Sequence, residues 1–296
     1  MGIQVQPCCC GDVWITVVDN DASTEVAAAH IHKMDLDTGK VGPPVSYQRG
    51  PSRWYPTSTR KWRVDGKFYH LMHADGHNGK PEWGTLDPTT GVVTFIGQVF
   101  PPVTKSIPGI MTIGDAGTVT VGSGVRISSN PPLVWSSFLV DVNRITGAGT
   151  QFSDFASRTP NTTIGNEITG MDYDSDGVLQ AFVGQRAFVQ SFPTQPPSEK
   201  ARLEWWRFNP LTGTGVLVRE VTEFGPLALP AFGITPDVAY EYATGTWWAI
   251  SQYNGFSGPH YIWRTTDPIG GTWQQLNPIT GVVVASDYTV TSFFFG

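Results

Sequence analysis

The sequence predicts an all-β fold, a five-bladed β-propeller of four-stranded antiparallel blades whose first blade is closed by the C-terminal strand. Three observations predict it. A short hairpin phrase returns five times along the 296 residues. Turn formers and aromatics are plentiful, with 33 Gly, 23 Pro and 11 Trp, while charged residues are only 15% of the chain, against a globular norm of about 25%. Finally, the start of the chain lacks one strand that its first repeat needs, and the end carries one strand too many.

The phrase reads Met34-Asp35-Leu36-Asp37-Thr38-Gly39, Leu86-Asp87-Pro88-Thr89-Thr90-Gly91, Val142-Asn143-Arg144-Ile145-Thr146-Gly147, Phe208-Asn209-Pro210-Leu211-Thr212-Gly213 and Leu276-Asn277-Pro278-Ile279-Thr280-Gly281. Asp or Asn bonds back to the turn backbone, Pro presets φ, and Gly takes positive φ where the chain reverses. An apolar strand stands on either side, so each phrase reads as the outer hairpin of a sheet. The turn glycines recur every 52 to 68 residues, a propeller-blade period of roughly 40 to 50 residues lengthened by loops.

Taken in order, the first blade has strands at Asp12 to Val18 and Ala28 to Met34. The second has them at Lys61 to Val64, Lys67 to Leu71, Glu82 to Leu86 and Val92 to Ile96. The third runs Gly109 to Ile113, Thr118 to Gly122, Ser137 to Val142 and Thr150 to Phe155. The fourth runs Gly170 to Tyr173, Val178 to Val183, Leu203 to Phe208 and Gly215 to Val221. The fifth runs Val238 to Tyr242, Thr246 to Gln252, Tyr261 to Thr265 and Trp273 to Leu276. The surplus segment Tyr288 to Gly296 is expected to supply the innermost strand of the first blade, closing the seam that would otherwise expose strand edges. The domain reading is an arm over residues 1–11 and a single propeller over residues 12–296. Loops around residues 43–60, 97–108, 123–135, 156–168 and 184–201, rich in Pro, Ser, Thr and Gln, are the expected contact surface.

The formal charge is −6 and no basic run is present, which disfavours nucleic acid as a partner. No apolar stretch approaches the ~20 residues that cross a bilayer, and Met1 to Pro7 lacks the features of a secretory signal. Membrane insertion is therefore not expected. The only cysteines, Cys8, Cys9 and Cys10, cannot build an internal disulfide framework, and neighbouring cysteines bridge only with strain. They read as a reduced arm, or as assembly residues bridging subunits or sharing a thiolate metal site between them.

Around the fifth blade, Ala243-Thr244-Gly245-Thr246-Trp247-Trp248-Ala249-Ile250-Ser251 and Ile262-Trp263-Arg264-Thr265-Thr266-Asp267-Pro268-Ile269-Gly270-Gly271-Thr272-Trp273 resemble sialidase-type Asp-box propeller repeats, with one extra residue between Asp267 and Thr272. The resemblance implies a structural turn remote from any active site. The Asp/Asn-Pro-x-Thr-Gly phrases are similar to outer hairpins of repeat propellers in phage virion and bacterial surface proteins. A sialidase would also carry an arginine triad, a Tyr nucleophile with a Glu partner, and an acidic acid/base residue, a set that nothing in the sequence identifies.

The candidate metal site is His73, Asp75 and His77, which strand alternation would place on one side, with donor types suited to zinc or similar ions. A polar loop is the competing reading of Asp75 to Gly79. His30 and His32 alternate on the strand before the first hairpin and read as exposed strand-face histidines. Asp172-Tyr173-Asp174-Ser175-Asp176-Gly177 looks like a calcium loop but has Val183 at its twelfth position, so it reads as a tight turn between inner strands. The aromatic clusters Trp54-Tyr55, Trp205-Trp206, Trp247-Trp248 and Tyr253 with Phe256 could stack on sugar rings where they face solvent, with Trp54, Tyr55, Tyr253 and Phe256 the candidate ligand-binding set, while most of these side chains are expected to fill the spaces between blades. No motif calls for a cofactor.

The leading functional expectation is a non-catalytic structural or adhesive module of a virion or other extracellular assembly, synthesised in the cytoplasm without a signal peptide. Its partners would be other protein subunits and surface glycans. The alternative is a propeller enzyme, a glycoside hydrolase or lyase or a metal-dependent hydrolase, acting on carbohydrate or a small ester. A soluble glycan-binding module is the third reading.

Overall fold

The computed structural model describes residues 12–19, 29–48, 54–74, 81–99, 106–114, 116–126, 135–154, 164–187, 202–209, 211–224, 237–252, 260–282 and 288–296. Every regular element in them is a strand. The first blade holds β1 (Val13–Asp19), β2 (Ala29–Met34) and β3 (Val45–Ser46), and the second β4 (Trp54–Lys61), β5 (Phe68–Ala74), β6 (Pro81–Leu86) and β7 (Val93–Gln98). The third holds β8 (Ser106–Ile113), β9 (Val119–Arg126), β10 (Trp135–Val142) and β11 (Gly149–Asp154). The fourth holds β12 (Ile164–Tyr173), β13 (Leu179–Ala187), β14 (Arg202–Phe208) and β15 (Gly215–Glu220). The fifth holds β16 (Asp237–Glu241), β17 (Thr246–Gln252), β18 (His260–Thr265) and β19 (Gln274–Pro278), after which β20 (Tyr288–Phe295) returns to the first blade. Five four-stranded antiparallel sheets result, in the orders β20-β1-β2-β3, β4-β5-β6-β7, β8-β9-β10-β11, β12-β13-β14-β15 and β16-β17-β18-β19. The inner strands β20, β4, β8, β12 and β16 each contact the next, so the sheets form a closed ring.

Closure is by the expected route. β20 pairs with β1 from Val13↔Phe295 to Asp19↔Tyr288, so the last strand is the innermost strand of the first blade. Its alternation turns Phe293 and Phe294 into the spaces on either side of that blade, where both are buried.

The apolar core is five separate layers, one between each pair of neighbouring blades. Trp62, Leu71 and Trp83 meet Met111 and Val121 between blades two and three, and Phe182 and Trp205 meet Trp247 and Trp273 between blades four and five. This arrangement follows from the stacking of sheets: each blade buries both faces, so its middle strands carry apolar residues on both sides. The paired tryptophans behave accordingly, with Trp205, Trp206, Trp247 and Trp248 all buried.

Two readings of the repeat change. The innermost strand of the second blade is Trp54–Lys61, and residues 62–64, expected as strand, belong to the turn that follows it. Strands also extend into several segments expected as loops, at 54–60, 106–108, 123–126, 164–168 and 184–187. The fifth Thr-Gly phrase is not a hairpin between the outer strands. The turn from β18 to β19 is Asp267 to Gly271, where Gly271 N–H donates to Asp267 O at 2.9 Å and Ile269 N–H to Asp267 Oδ1 at 3.0 Å. The same two bonds define the other four hairpins, as in Gly39 to Asp35 O at 2.8 Å and Asp37 to Asp35 Oδ1 at 2.9 Å.

Asn277 to Gly281 instead forms the tail of the fifth blade's outer strand, where it docks on the first blade's hairpin. Thr280 N–H donates to Gly39 O at 2.9 Å and Val41 N–H to Thr280 O at 3.0 Å. The same stitch recurs around the ring: Gln48 N–H donates to Gly91 O at 2.7 Å, and Arg219 Nε to Pro268 O at 3.0 Å. The hairpins of the first, second and fifth blades therefore each hold the outer strand or tail of the preceding blade. At Gly91, with φ of +75°, the left-handed backbone and the close approach of the Ser46 carbonyl both exclude a side chain.

Candidate functional site

Antiparallel alternation sends every inner strand toward the same end of the central channel, where short turns lead to the second strands. A recess of about 180 Å³ opens there. Its lining comes from the ends of four blades' inner strands and from the closing strand: Arg60, Lys61 and Arg63, Thr112, Asp172, Tyr240 to Tyr242, and Phe294 to Gly296.

The inner strands splay too far apart to share a backbone ladder, and side chains bridge them instead. Ser292 Oγ accepts from Thr59 N–H at 2.7 Å and Ser58 Oγ from Met111 N–H at 3.1 Å. Thr112 Oγ1 donates to Asp172 Oδ1 at 2.5 Å, Asp172 Oδ2 accepts from Tyr240 N–H at 2.8 Å, and Asp237 Oδ2 accepts from Phe293 N–H at 2.6 Å. These bonds circle the channel through all five blades.

Two carboxyl groups and one guanidinium sit in this girdle. Arg60 meets Asp237 in a two-pronged ion pair, and Val238 N–H adds a further bond to Asp237 Oδ1 at 2.8 Å. Burial pushes the Asp237 pKa up, but four N–H donors converge on its oxygens and the geometry holds the ionised form. Arg60 Nε has no hydrogen-bond partner among the described residues.

Asp172 differs. Burial raises its pKa, opposed chiefly by the Arg60 charge and then by the Thr112 hydroxyl and the Tyr240 and Tyr173 amides. It lines the recess, and the Thr112 hydroxyl can rotate to accept as well as donate. A carboxyl so placed can hold or release a proton at the recess. The walls are held rigidly: Tyr240 OH donates to Ser175 Oγ at 3.2 Å, Tyr242 OH to Tyr173 O at 3.1 Å, and the two rings meet edge to face at 5.0 Å.

Trp54 and Tyr55 open β4, at the opposite end of that strand from Arg60, and Tyr55 is the register partner of His73. Asp75, His77, Tyr253, Phe256, Cys8, Cys9 and Cys10 lie outside the described residues. Among the described residues no cluster of His, Cys, Asp or Glu could hold a metal ion. His30 and His32 are not an exposed pair: His32 is fully buried with Nδ1 donating to Gly42 O at 2.9 Å, and half-buried His30 meets Ser46 Oγ at 3.1 Å.

Sequence reasoning missed Arg60 and Asp237 and read Asp172 only as part of a turn. A usable signal existed, because each is a charge in or beside a strand that the repeat assigns to the innermost position. The Asp174 to Gly177 segment is indeed a tight turn, with Gly177 N–H donating to Asp174 O at 3.0 Å.

No protein-family model matches the sequence, and no curated protein matches it. Solved structures share the fold. A protein of unknown function from Dyadobacter fermentans aligns over 90% of this chain and 79% of its own, with a TM-score of 0.58 and 10% identity. A periplasmic gluconolactonase from Pseudomonas aeruginosa aligns over 90% and 82%, with a TM-score of 0.47 and 14% identity. An α-L-arabinanase from Penicillium chrysogenum, complexed with arabinobiose, aligns over 79% and 69%, with a TM-score of 0.49 and 14% identity. At these identities the likeness is one of fold alone. The leading expectation of a non-catalytic virion or adhesive module is nonetheless corrected, since the propellers of named activity among these are enzymes.

Proposed function

We propose that this propeller is an enzyme acting on a carbohydrate or small ester in the axial recess, with Asp172 as the proton-donating group. The observation that carries the reading is a carboxyl of raised pKa at a concave site, the combination general acid catalysis requires. Burial raises the Asp172 pKa, which favours the protonated carboxyl more than exposure to solvent would. Thr112 and the Tyr240 amide fix the orientation of the carboxyl, so little reorganisation accompanies proton transfer.

The size of the recess supports a small substrate, being below the roughly 300–1,000 Å³ of sites for drug-sized ligands. Its tyrosine wall offers an apolar face to a sugar ring, and the charged rim offers partners to its oxygens. The test is a panel of sugar lactones, aryl glycosides and aryl esters assayed with the parent protein and Asp172→Asn. Turnover that collapses in the variant, with an unchanged melting temperature, supports the reading. No turnover of any class, or turnover that survives in the variant, overturns it.

A further inference from the structure

We propose that Arg60 and Asp237 are a positioning pair for Asp172: Asp237 fixes the Arg60 guanidinium beside the Asp172 carboxyl, so that one buried cation serves two buried carboxyls unequally. This rests on reading Asp172 as the proton donor of the recess.

The free edge of β16 brings the three groups together. β16 is the first strand of its sheet and pairs with β17 along one edge. Alternate residues of a strand present their backbone groups to the same edge. On the edge away from β17, Val238 C=O accepts from Arg60 Nη2 at 3.4 Å, and Tyr240 N–H, the next group along, donates to Asp172 Oδ2 at 2.8 Å. Guanidinium and carboxyl are therefore neighbours, and both residues line the recess.

The two carboxyls are not equivalent. Asp237 takes both prongs of the guanidinium, at 2.7 and 3.1 Å, and the Val238 and Phe293 amides besides. A bond from Arg60 Nη1 to Thr59 O at 3.0 Å fixes the guanidinium from its own strand as well. Among the described residues Asp172 receives one hydroxyl and two amides, from Thr112, Tyr173 and Tyr240. It feels the Arg60 charge without bonding to it, and that charge is the chief opponent of burial there. The other titratable groups around it are Lys61, Arg63, Tyr240, Glu241 and Tyr242 in the recess wall, Tyr173 on its own strand, and Asp141 of β10, which acts on the Tyr173 hydroxyl. Two carboxyls in unlike environments divide the work of one site, one staying ionised while the other exchanges a proton.

The titration of the Asp172 carboxyl carbon, followed by 13C NMR on the full chain and identified as the signal absent from Asp172→Asn, tests this without any substrate. Removing the cation and removing its partner should act in opposite directions. In Arg60→Met the titration should move to higher pH by about one pH unit, because a charge that favours the ionised carboxyl is gone. In Asp237→Asn it should move to lower pH by about as much, because the guanidinium is no longer neutralised. Arg60→Lys, which keeps a cation, should return it toward the parent value. Sucrose, excluded from the protein surface, holds a weakened variant folded, and either of the first two variants decides the question alone. Movement in the wrong direction in either variant, or no movement, overturns the inference. Asp172-dependent turnover with an unmoved titration sinks this inference alone, whereas the expected movements without turnover of any substrate sink only the enzyme reading.

Discussion

Arg60 and Asp237 join the second and fifth blades directly, although the first blade stands between them in the ring. The guanidinium reaches the carboxylate at 2.7 and 3.1 Å, and both side chains are about 95% shielded from solvent. A buried pair contributes little against a well-packed apolar replacement, but removing one partner strands a charge.

Asp237→Asn and Arg60→Met should each therefore lower unfolding free energy by about 3–5 kcal/mol. The double variant should cost less than the sum by more than about 1 kcal/mol, within the range known for coupled neighbours. Urea denaturation of the four proteins decides it, and simple additivity would show that the pair is not coupled.

The hairpin stitch gives a matched comparison. Gly66 and Gly91 have nearly the same φ, +72° and +75°, but a side chain at Gly66 meets open space while one at Gly91 meets the Ser46 carbonyl of the preceding blade. Gly66→Ala should cost about 1–2 kcal/mol, the left-handed penalty alone. Gly91→Ala should cost about 1–3 kcal/mol more. Equal losses in thermal or urea unfolding would remove the stitch from the account of ring stability.

His260 makes stability depend on pH. It is 1% exposed, stacked on Tyr288 at 4.9 Å, and burial holds its pKa down to about 4. Unfolded, the same imidazole takes a proton near pH 6.5. Between these values the unfolded chain binds more protons than the folded one, so stability rises with pH across that window. The contribution is complete above about pH 6.5 and is lost as pH falls toward 4, a change of about 3 kcal/mol. His32, whose pKa burial also lowers, acts in the same direction. In His260→Phe the slope of stability between pH 4 and 6.5 should flatten, and an unchanged slope would show that His260 is not its source.

If Asp172 donates a proton in the rate-limiting step, Asp172→Asn should lower kcat by roughly 10²–10⁴. The rate should fall as pH rises through the Asp172 pKa, which burial raises. Thr112→Val removes a hydrogen bond that favours the ionised carboxyl, so this alkaline limb should move to higher pH. A limb that moves down or stays fixed would place the titration on another group.

Much of the ring was legible because its signals are local. Asp35, Asp87, Asn143 and Asn209 each bond to the amide two residues on, a geometry that four or five residues specify between themselves. The same logic misled at Asn277, which carries the phrase without the hairpin, because Asp267 ten residues earlier had already turned the chain. The inner strand of the second blade was misplaced for a related reason. Thr57 to Lys61 reads polar, and Ser58 and Thr59 bond to the neighbouring inner strands where the other strands of the blade face apolar layers.

The candidate site was almost wholly illegible. Arg60 and Asp237 are 177 residues apart, and Thr112 and Asp172 are 60 apart. No spacing rule connects them.

The sequence by itself determined the repeat, the number of blades and the closure by β20, because turn chemistry and strand alternation act over a few residues and each blade states them again. Only the tertiary structure decided which charges meet at the axis. Ring closure brings the ends of five inner strands within hydrogen-bond reach, and exclusion of water there turns an ordinary aspartate into one whose pKa is raised.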